Sequence, residues 1–328
     1  MLKSLLAASL ALTVSMAPVL AQETTTIRFG FSSVVDLEND NGATSLLIKN
    51  YIESHSDTLK VDIYGSSELG ADQDVIQALQ LASGATMHIG GTATYNSFVP
   101  RVGVLDLPFL WQNYAHVGRA LNGSTGEALK KDFENAGFKV LGFGYSWGYR
   151  NVVTKGVAVT KPEDVKGLKL RTIQSPIYVA ALNAMGANAT PMAFNEVYTA
   201  LQTGVLDGFE HAASMVLSAK LYEVTDHLAL TRHLFGPTVV TYSLQLWNQL
   251  SEEDQKVVQD AVDFATEIAR AMAPGREQQA LDKLVEVGMT ITDVDTTEFA
   301  EAAKPLQDKL AGEINATDLL ETIRAAGK

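Results

Sequence analysis

Short apolar segments alternate with segments of helical period over the first third of the chain, and this alternation is the strongest constraint on the fold. Residues 27–31, 60–64 and 85–90 have the length and composition of buried strands. Residues 42–55 and 72–83 place apolar side chains three and four positions apart, as amphipathic helices do. This βαβαβ order predicts a parallel sheet covered by helices, with ligands bound beyond the carboxyl ends of its strands.

The rest of the chain contains a second α/β unit and a long helix. Ser175, which a proline follows, is typical of a helix start, and Asn195 is predicted to cap the next helix. Ser251 resembles the first residue of a capping box that opens a long helix, and Pro274 is expected to kink or interrupt this helix. The strands predicted in this part are residues 138–145, 150–154, 169–173, 205–210, 238–245 and 289–294.

Residues 1–21 have the features of a secretory signal peptide. Lys3 provides the positive charge, residues 5–16 form an apolar run, and residues 19–21 resemble a small-residue cleavage site. The chain has no cysteine, which excludes disulfides and thiolate chemistry, and its formal net charge of −13 argues against nucleic acid as a partner. A mature chain of about 300 residues favours two lobes over one core.

The sequence contains no motif that predicts a metal or a cofactor. Asp36, Glu38 and Asp40 alternate like the start of a calcium loop, but Leu47 occupies the position of the bidentate glutamate. The histidines lack metal-ligand spacing, and no glycine-rich loop leads from a strand into a helix. We therefore expect neither a metal nor a nucleotide cofactor.

Residues 144–148 match the G-x-S-x-G pattern of a serine hydrolase, with Ser146 as the nucleophile. That pattern requires a helix directly after the serine, whereas the residues that follow here are typical of a strand. His211, His227 and His233 are bases in a suitable chain order. A secreted serine hydrolase therefore stays open as an alternative function.

Arg150 and Arg171 are candidate binding residues, because each lies in or beside a predicted strand. Arginine suits a carboxylate ligand, since two parallel N–H donors match the two carboxylate oxygens. Both residues are equally compatible with ordinary surface positions. The aromatic residues Trp147, Phe194 and Phe209 would line a pocket near these arginines or fill the core.

Several separated segments resemble the substrate-binding proteins of tripartite ATP-independent periplasmic (TRAP) transporters, the DctP-like family. The resemblance extends over essentially the whole mature chain, and the run at residues 194–204 is its most specific part. The segments are SSELG at 66–70, VLDLPFL at 104–110, YRN at 149–151, VKGLKLR at 165–171, FNEVYTALQTG at 194–204 and DG at 207–208.

The resemblance implies a two-lobed α/β periplasmic solute-binding fold with a ligand cleft between the lobes. Crossing strands would join the lobes, and the helix around Pro274 would brace both. The implied organisation is a signal peptide at residues 1–21, lobe I at 22–147 plus 237–275, and lobe II at 148–236 plus 276–328.

The resemblance also implies the binding residues. Arg171 would clamp a ligand carboxylate and Arg150 would provide a second positive contact. His211 occupies a position that is asparagine in many members, and this difference affects ligand choice. The residues expected to close over the ligand from the first lobe are Glu68, Gln73, Asn39 and Thr92.

The implied function is that of a periplasmic receptor, without catalysis or cofactor, that delivers a small organic acid to a TRAP membrane permease. The polar residues Glu68, Asn39, Gln73 and His211 favour a sugar acid such as a uronate or aldonate. The aromatic residues Trp147, Phe194 and Phe209 would suit an aromatic or keto acid instead. A sensor that presents its bound ligand to a membrane kinase is a further alternative.

Overall fold

The computed structural model describes residues 24–328, so the signal peptide predicted at residues 1–21 lies outside the described residues. The described strands form one mixed nine-stranded sheet in the order β2-β1-β3-β8-β4-β7-β5-β6, with β9 paired to β8. They are β1 (Thr25–Gly30), β2 (Leu59–Tyr64), β3 (Met87–Gly91), β4 (Phe138–Thr154), β5 (Lys169–Thr172), β6 (Asn188–Pro191), β7 (Gly208–His211), β8 (His227–Ser243) and β9 (Thr290–Asp293).

Helices cover the sheet, and none in the described part of the chain is long and apolar enough to cross a membrane. They are α1 (Asp40–His55), α2 (Asp72–Gln80), α3 (Tyr114–Leu121), α4 (Ser124–Asn135), α5 (Pro176–Ala184), α6 (Val197–Gln202), α7 (Ala213–Ser218), α8 (Leu244–Trp247), α9 (Glu252–Glu286), α10 (Thr297–Glu313) and α11 (Thr317–Ala326).

The N-terminal unit has the predicted βαβαβ order, and its strand pairs β1–β2 and β1–β3 are parallel. Phe29 and Val61 are fully buried from these strands, and they pack with Ile48 of α1 and Val258 of α9 in one apolar cluster. The prediction of a parallel sheet, which was made for this unit, is confirmed for its three strands. Beyond β3 the sheet becomes mixed, because β8 runs antiparallel to β3.

Two strands of 17 residues each, β4 and β8, run antiparallel through the middle of the sheet. The sequence predicted two separate strands at 138–145 and 150–154, which are parts of the single strand β4. It predicted a strand only at 238–245, whereas β8 begins at His227 and ends at Ser243. The register of the pair shifts between Gly144 and Gly148, where Gly148 has a φ of +65°. This irregularity interrupts the alternation of side chains between the two faces of the sheet, so the sequence does not indicate one continuous strand. Pairing with β8 nevertheless keeps the chain extended.

In the second unit, β5 lies between β6 and β7 and runs parallel to both. Ser175 caps α5 by accepting a hydrogen bond from the Tyr178 amide, as predicted. The prediction that Asn195 caps a helix was wrong. Ala193 instead precedes a short 3₁₀ turn at Phe194–Glu196, and α6 begins only at Val197.

The long helix α9 begins after Ser251, whose side chain accepts a hydrogen bond from the Asp254 amide, as predicted. The helix continues through Pro274, so the interruption, one of the two expected effects of this proline, does not occur. Proline costs about 3 kcal/mol inside a helix. Buried alanines on both sides of it, Ala273 and Ala280, anchor the two halves of the helix and offset this cost.

The C-terminal helix α11 packs against α3 and α4, within the apolar cluster that also contains Leu121 and Phe133. Leu320 and Ile323 of α11 are fully buried there. The residues of α11 therefore pack with the sequence range assigned above to lobe I, although the proposed division placed 276–328 in lobe II. The lobe boundaries at 147/148, 236/237 and 275/276 stay predictions.

Candidate functional site: an arginine chamber between the lobes

A cavity lies where the carboxyl ends of two groups of parallel strands face each other, as expected for ligand sites in such sheets. Ser32, Ser67 and Thr94 follow β1, β2 and β3 and line one side of the cavity. Arg171 on β5 and His211 at the end of β7 line the other side. We call this cavity the arginine chamber.

Arg171 is the central cation of the chamber and is only 2% exposed. Its Nε and Nη2 donate to the Met192 carbonyl at 3.0 and 2.6 Å, which fixes the guanidinium. Its Nη1 makes no hydrogen bond to any described residue. Burial, opposed in part by the charge of Glu210, lowers the pKa of Arg171 to about 10, so the side chain is charged at neutral pH. A buried cation with a free donor is costly and favours an anionic ligand.

Two aromatic side chains border Arg171. The Phe194 ring centroid lies 5.7 Å from the guanidinium carbon of Arg171. Trp147 is 6% exposed, and its Nε1 hydrogen has no acceptor within residues 24–328. The Trp147 ring lies so close to Gly91 that a Cβ there would come within 2.3 Å of it, so glycine is required at position 91. The chamber therefore has apolar walls and a second free donor.

His211 is 2% exposed and packs edge-to-face against Trp147 and Phe194. Burial and the positive charges of Arg150 and Arg171 hold the pKa of His211 well below its usual range, so the imidazole is neutral. Its Nδ1 accepts a hydrogen bond from the Ala212 amide at 2.8 Å, which leaves Nε2 to carry the ring hydrogen.

Asp72, at the start of α2, is a chamber residue that the sequence did not single out. Ser32 donates to its carboxylate from the amide at 3.1 Å and from the hydroxyl at 2.7 Å, and His88 lies 3.2 Å away. Burial alone would raise the pKa of Asp72, but His88 and Ser32 outweigh it and hold the pKa below its usual value. Beside it, Gln73 also lines the chamber. The chamber thus pairs a cation with a charged acceptor for hydroxyl groups.

Arg150 does not line the chamber, since Glu210 holds two of its guanidinium nitrogens, while its Nη1 lies 3.5 Å from the ring nitrogens of His211. Its Nε and Nη2 donate to the Glu210 carboxylate at 2.5 and 2.8 Å, and both side chains are fully buried. Thr172 donates to the same carboxylate at 2.8 Å. Sequence reasoning missed Glu210, and the only available signal was the need of a buried arginine for a nearby acid.

Four other predicted residues also lie outside the chamber. Phe209 is fully buried in a separate apolar cluster, and Thr92 is buried with its hydroxyl donating to Asp106 at 3.0 Å. Glu68 is exposed on the loop that follows β2. Asn39 caps α1 and donates to Ser218 at 3.0 Å across the cleft. The structure therefore brings together Arg171, His211, Gln73, Trp147 and Phe194 of the predicted set.

The backbone around Ser146 lies within β4, which continues as a strand to Thr154. A hydrolase nucleophile needs a sharp turn from a strand into a helix at this position. The local backbone therefore differs from the arrangement that the G-x-S-x-G pattern requires.

Comparisons with known proteins agree with this architecture. The model of the family described as bacterial extracellular solute-binding protein, family 7 (DctP) matches residues 33–313. The 2,3-diketo-L-gulonate-binding periplasmic protein YiaO of Escherichia coli (strain K12) is 34% identical over 270 residues, which cover 81% of this chain and 81% of that protein.

Two crystal structures have the same fold over nearly their whole length. The sugar acid binding protein DctPAm from Advenella mimigardefordensis, in complex with galactonate, has a TM-score of 0.88 and 29% identity, covering 93% of this chain and 98% of that one. A TRAP solute-binding protein from Polaromonas sp. JS666, bound to D-erythronate, has a TM-score of 0.87 and 29% identity, covering 92% and 98%. The chain therefore belongs to bacterial extracellular solute-binding protein family 7, and it is a TRAP solute receptor with the two-lobed α/β fold.

Proposed function

We propose that this receptor binds a sugar acid and that Arg171 holds the ligand carboxylate. The observation that carries the proposal is the free Nη1 of a buried guanidinium inside the chamber, where no other described residue neutralises the donor. A carboxylate there would accept a charge-assisted hydrogen bond from Nη1. Such a bond is stronger than the hydrogen bonds that a neutral donor can make. The other nitrogens of Arg171 are held by Met192, so the donor is oriented before the ligand arrives.

The polar groups of the chamber support a hydroxylated acid. Asp72 and Ser67 supply acceptors, and Gln73, Trp147 and neutral His211 supply donors. A polyhydroxylated ligand could satisfy both kinds of group, whereas an aromatic or keto monocarboxylate would leave Asp72 facing an apolar surface. The relatives described above bind galactonate, D-erythronate and, by name, 2,3-diketo-L-gulonate, which supports the same class.

The same proposal covers the cellular role. The receptor would be exported to the periplasm by the signal peptide at residues 1–21 and would deliver its ligand to a TRAP membrane permease, without catalysing a reaction. Contacts across the cleft, such as the hydrogen bond from Asn39 to Ser218, suit closure around a ligand by a hinge motion. A receptor that signals to a kinase would use the same cleft, and genes for permease subunits beside this one would favour transport.

The serine hydrolase is the alternative from another class. It would require turnover of a p-nitrophenyl ester that Ser146→Ala abolishes. We expect no such turnover, because the strand around Ser146 lacks the turn into a helix that exposes a hydrolase nucleophile.

A thermal-shift screen of residues 22–328 against organic acids tests the binding proposal. A ligand at about 100 times its Kd should add about 2.7 kcal/mol of stability. We expect the largest shift from aldonates or uronates and its loss in Arg171→Ala. A shift only with aromatic or keto acids would overturn the ligand class, and a shift that survives Arg171→Ala would overturn the clamp.

A further inference from the structure

A chain of buried polar side chains leads from the wall of the arginine chamber into the core of the sheet. His88 on β3 is fully buried and does not line the chamber. Its Nε2 lies 3.2 Å from Oδ1 of Asp72, and its Nδ1 lies 2.8 Å from the Tyr95 hydroxyl. The Tyr95 hydroxyl is hydrogen-bonded in turn to the hydroxyl of Thr241, which lies opposite His88 in the β3–β8 pair. These residues therefore connect a carboxylate of the chamber to the long strand β8.

The direction of the hydrogen bond between His88 and Asp72 follows from the chemistry of the two groups. A carboxylate can only accept, so Nε2 of His88 carries a hydrogen and donates it to Asp72. Burial raises the pKa of Tyr95 above its usual value, so its hydroxyl keeps its hydrogen at neutral pH. Tyr95 and Thr241 thus hold the imidazole ring from its other nitrogen.

The backbone leaves space for the His88 ring in this orientation. A Cβ at position 90 would lie 2.5 Å from Cε1 of His88, so a side chain in place of Gly90 would displace the ring. An imidazole buried between Met87 and Ile89 is costly unless its nitrogens are hydrogen-bonded. Both nitrogens have partners in the orientation that Gly90 permits, and this orientation aims Nε2 at Asp72.

Asp72 depends on His88 to stay ionised. Burial raises the pKa of its carboxyl, whereas hydrogen bonding and charge from His88, followed by the donors of Ser32, lower it by more. Without the His88 donor, the carboxyl would keep the two hydrogen bonds from Ser32 and would take up a proton more readily. A protonated carboxyl carries a hydrogen on one oxygen and offers a ligand fewer acceptor sites.

We propose that His88 is a positioning residue of this receptor, which holds Asp72 ionised and oriented toward the ligand without touching the ligand itself. Tyr95 and Thr241 hold His88 in its turn. This inference rests on the proposed function, because it takes the Asp72 carboxylate to accept hydrogen bonds from the hydroxyl groups of a sugar acid. It assigns a role in ligand affinity to a histidine that lies wholly inside the first lobe.

Calorimetric titration of galactonate tests this role in a double-mutant cycle. His88→Phe removes the donor to Asp72 and keeps an aromatic ring, whereas His88→Gln provides an amide N–H in its place. We expect His88→Phe to weaken galactonate binding about tenfold and His88→Gln to retain most of the affinity. In an Asp72→Asn background, His88→Phe should change the affinity by about twofold or less, because the carboxylate that His88 holds is absent.

Carbon-13 NMR titration of the Asp72 carboxyl tests the same contact without a ligand. The signal that disappears in Asp72→Asn identifies this carboxyl. We expect its midpoint to lie at higher pH in His88→Phe than in the wild type, because burial is then opposed mainly by Ser32. An unchanged midpoint would overturn the inference.

The results separate this inference from the proposed function. An equal loss of galactonate affinity from His88→Phe in both backgrounds would show a purely structural role and overturn the inference. Thermal unfolding shows whether His88→Phe folds. If it does not, Tyr95→Phe, which removes the hydroxyl that holds His88, decides the question through the same cycle. Binding of sugar acids that Arg171→Ala leaves intact would overturn the proposed function, and the NMR midpoint would then still decide whether His88 holds Asp72.

Discussion

Arg150 and Glu210 form a fully buried ion pair, with distances of 2.5 and 2.8 Å between the guanidinium nitrogens and the carboxylate oxygens. Arg171, which is also buried and lies on the strand beyond β7, has a nitrogen without any partner among the described residues. The two arginines therefore differ in what they provide: Arg150 completes an internal pair, while Arg171 presents an unpaired charge to the cleft.

Replacement of Arg171 should affect binding far more than folding. Arg171→Ala removes the cation without leaving a paired acid behind, and we expect it to cost about 3–5 kcal/mol of binding free energy for the acid identified by the screen. The Arg171→Lys variant should also bind the acid weakly, because the lysine ammonium lacks the planar set of donors that the guanidinium presents to a carboxylate. Titration calorimetry measures both losses. Arg232→Ala, at an exposed arginine, is the control, and a loss below tenfold for Arg171→Ala would contradict the clamp.

Replacement of Arg150 should affect folding first. Arg150→Met leaves the Glu210 carboxylate buried without its main partner, and we expect the free energy of unfolding to fall by about 3–5 kcal/mol. Urea unfolding followed by circular dichroism measures this change. Arg101→Ala breaks a partly exposed pair with Asp318 and should cost about 1 kcal/mol or less. A similar loss of unfolding free energy in Arg150→Met and Arg101→Ala would show that the buried Arg150–Glu210 pair is not critical for stability.

Trp147 should report ligand binding. Its Nε1 hydrogen has no acceptor among residues 24–328, so a ligand oxygen can accept it in the chamber. Trp147→Phe should weaken binding by about 1 kcal/mol and abolish a ligand-induced change in fluorescence. Trp247→Phe is the matched control, since Trp247 packs in an apolar cluster with Tyr242. An unchanged affinity in Trp147→Phe would exclude the indole from ligand contact.

Asp106 should make the protein less stable as the pH rises. Burial raises the pKa of Asp106 to about 8, although the Thr92 hydroxyl donates to one of its oxygens. The folded state therefore keeps a proton that the unfolded state loses near its ordinary pKa of about 4. Because the unfolded state binds fewer protons in this interval, stability falls between about pH 4 and pH 8.

Asp106→Asn tests this dependence, because the amide keeps an oxygen for the Thr92 hydroxyl but cannot ionise. We expect the variant to gain stability relative to the wild type at pH 8 and to gain little at pH 4. Urea unfolding at the two pH values measures the difference. A parallel pH dependence in the two proteins would show that Asp106 is charged when buried.

The sequence predicted those parts of the fold that local signals specify. The parallel order of β1, β2 and β3 follows from the apolar period, and Ser175 and Ser251 cap helices because a serine oxygen can accept from an exposed amide. The misjudged elements depend on distant contacts. Strand β4 stays extended through its glycines because β8 pairs with it, and α9 continues past Pro274 because the buried Ala273 and Ala280 anchor the helix on both sides.

The binding site shows the same difference between what the sequence predicts and what distant contacts decide. Sequence alone determined the α/β class. The resemblance named Arg171 and His211 before any geometry was known, and Trp147 and Phe194 were candidates because they lie near the arginines in the sequence. The residues alone did not distinguish Arg171 from Arg150, because each lies in or beside a predicted strand, and the resemblance implied that both arginines contact the ligand. Only the tertiary structure decided that distinction, since antiparallel pairing of β4 with β7 brings Glu210 to Arg150, whereas Arg171 faces the cleft with one nitrogen free.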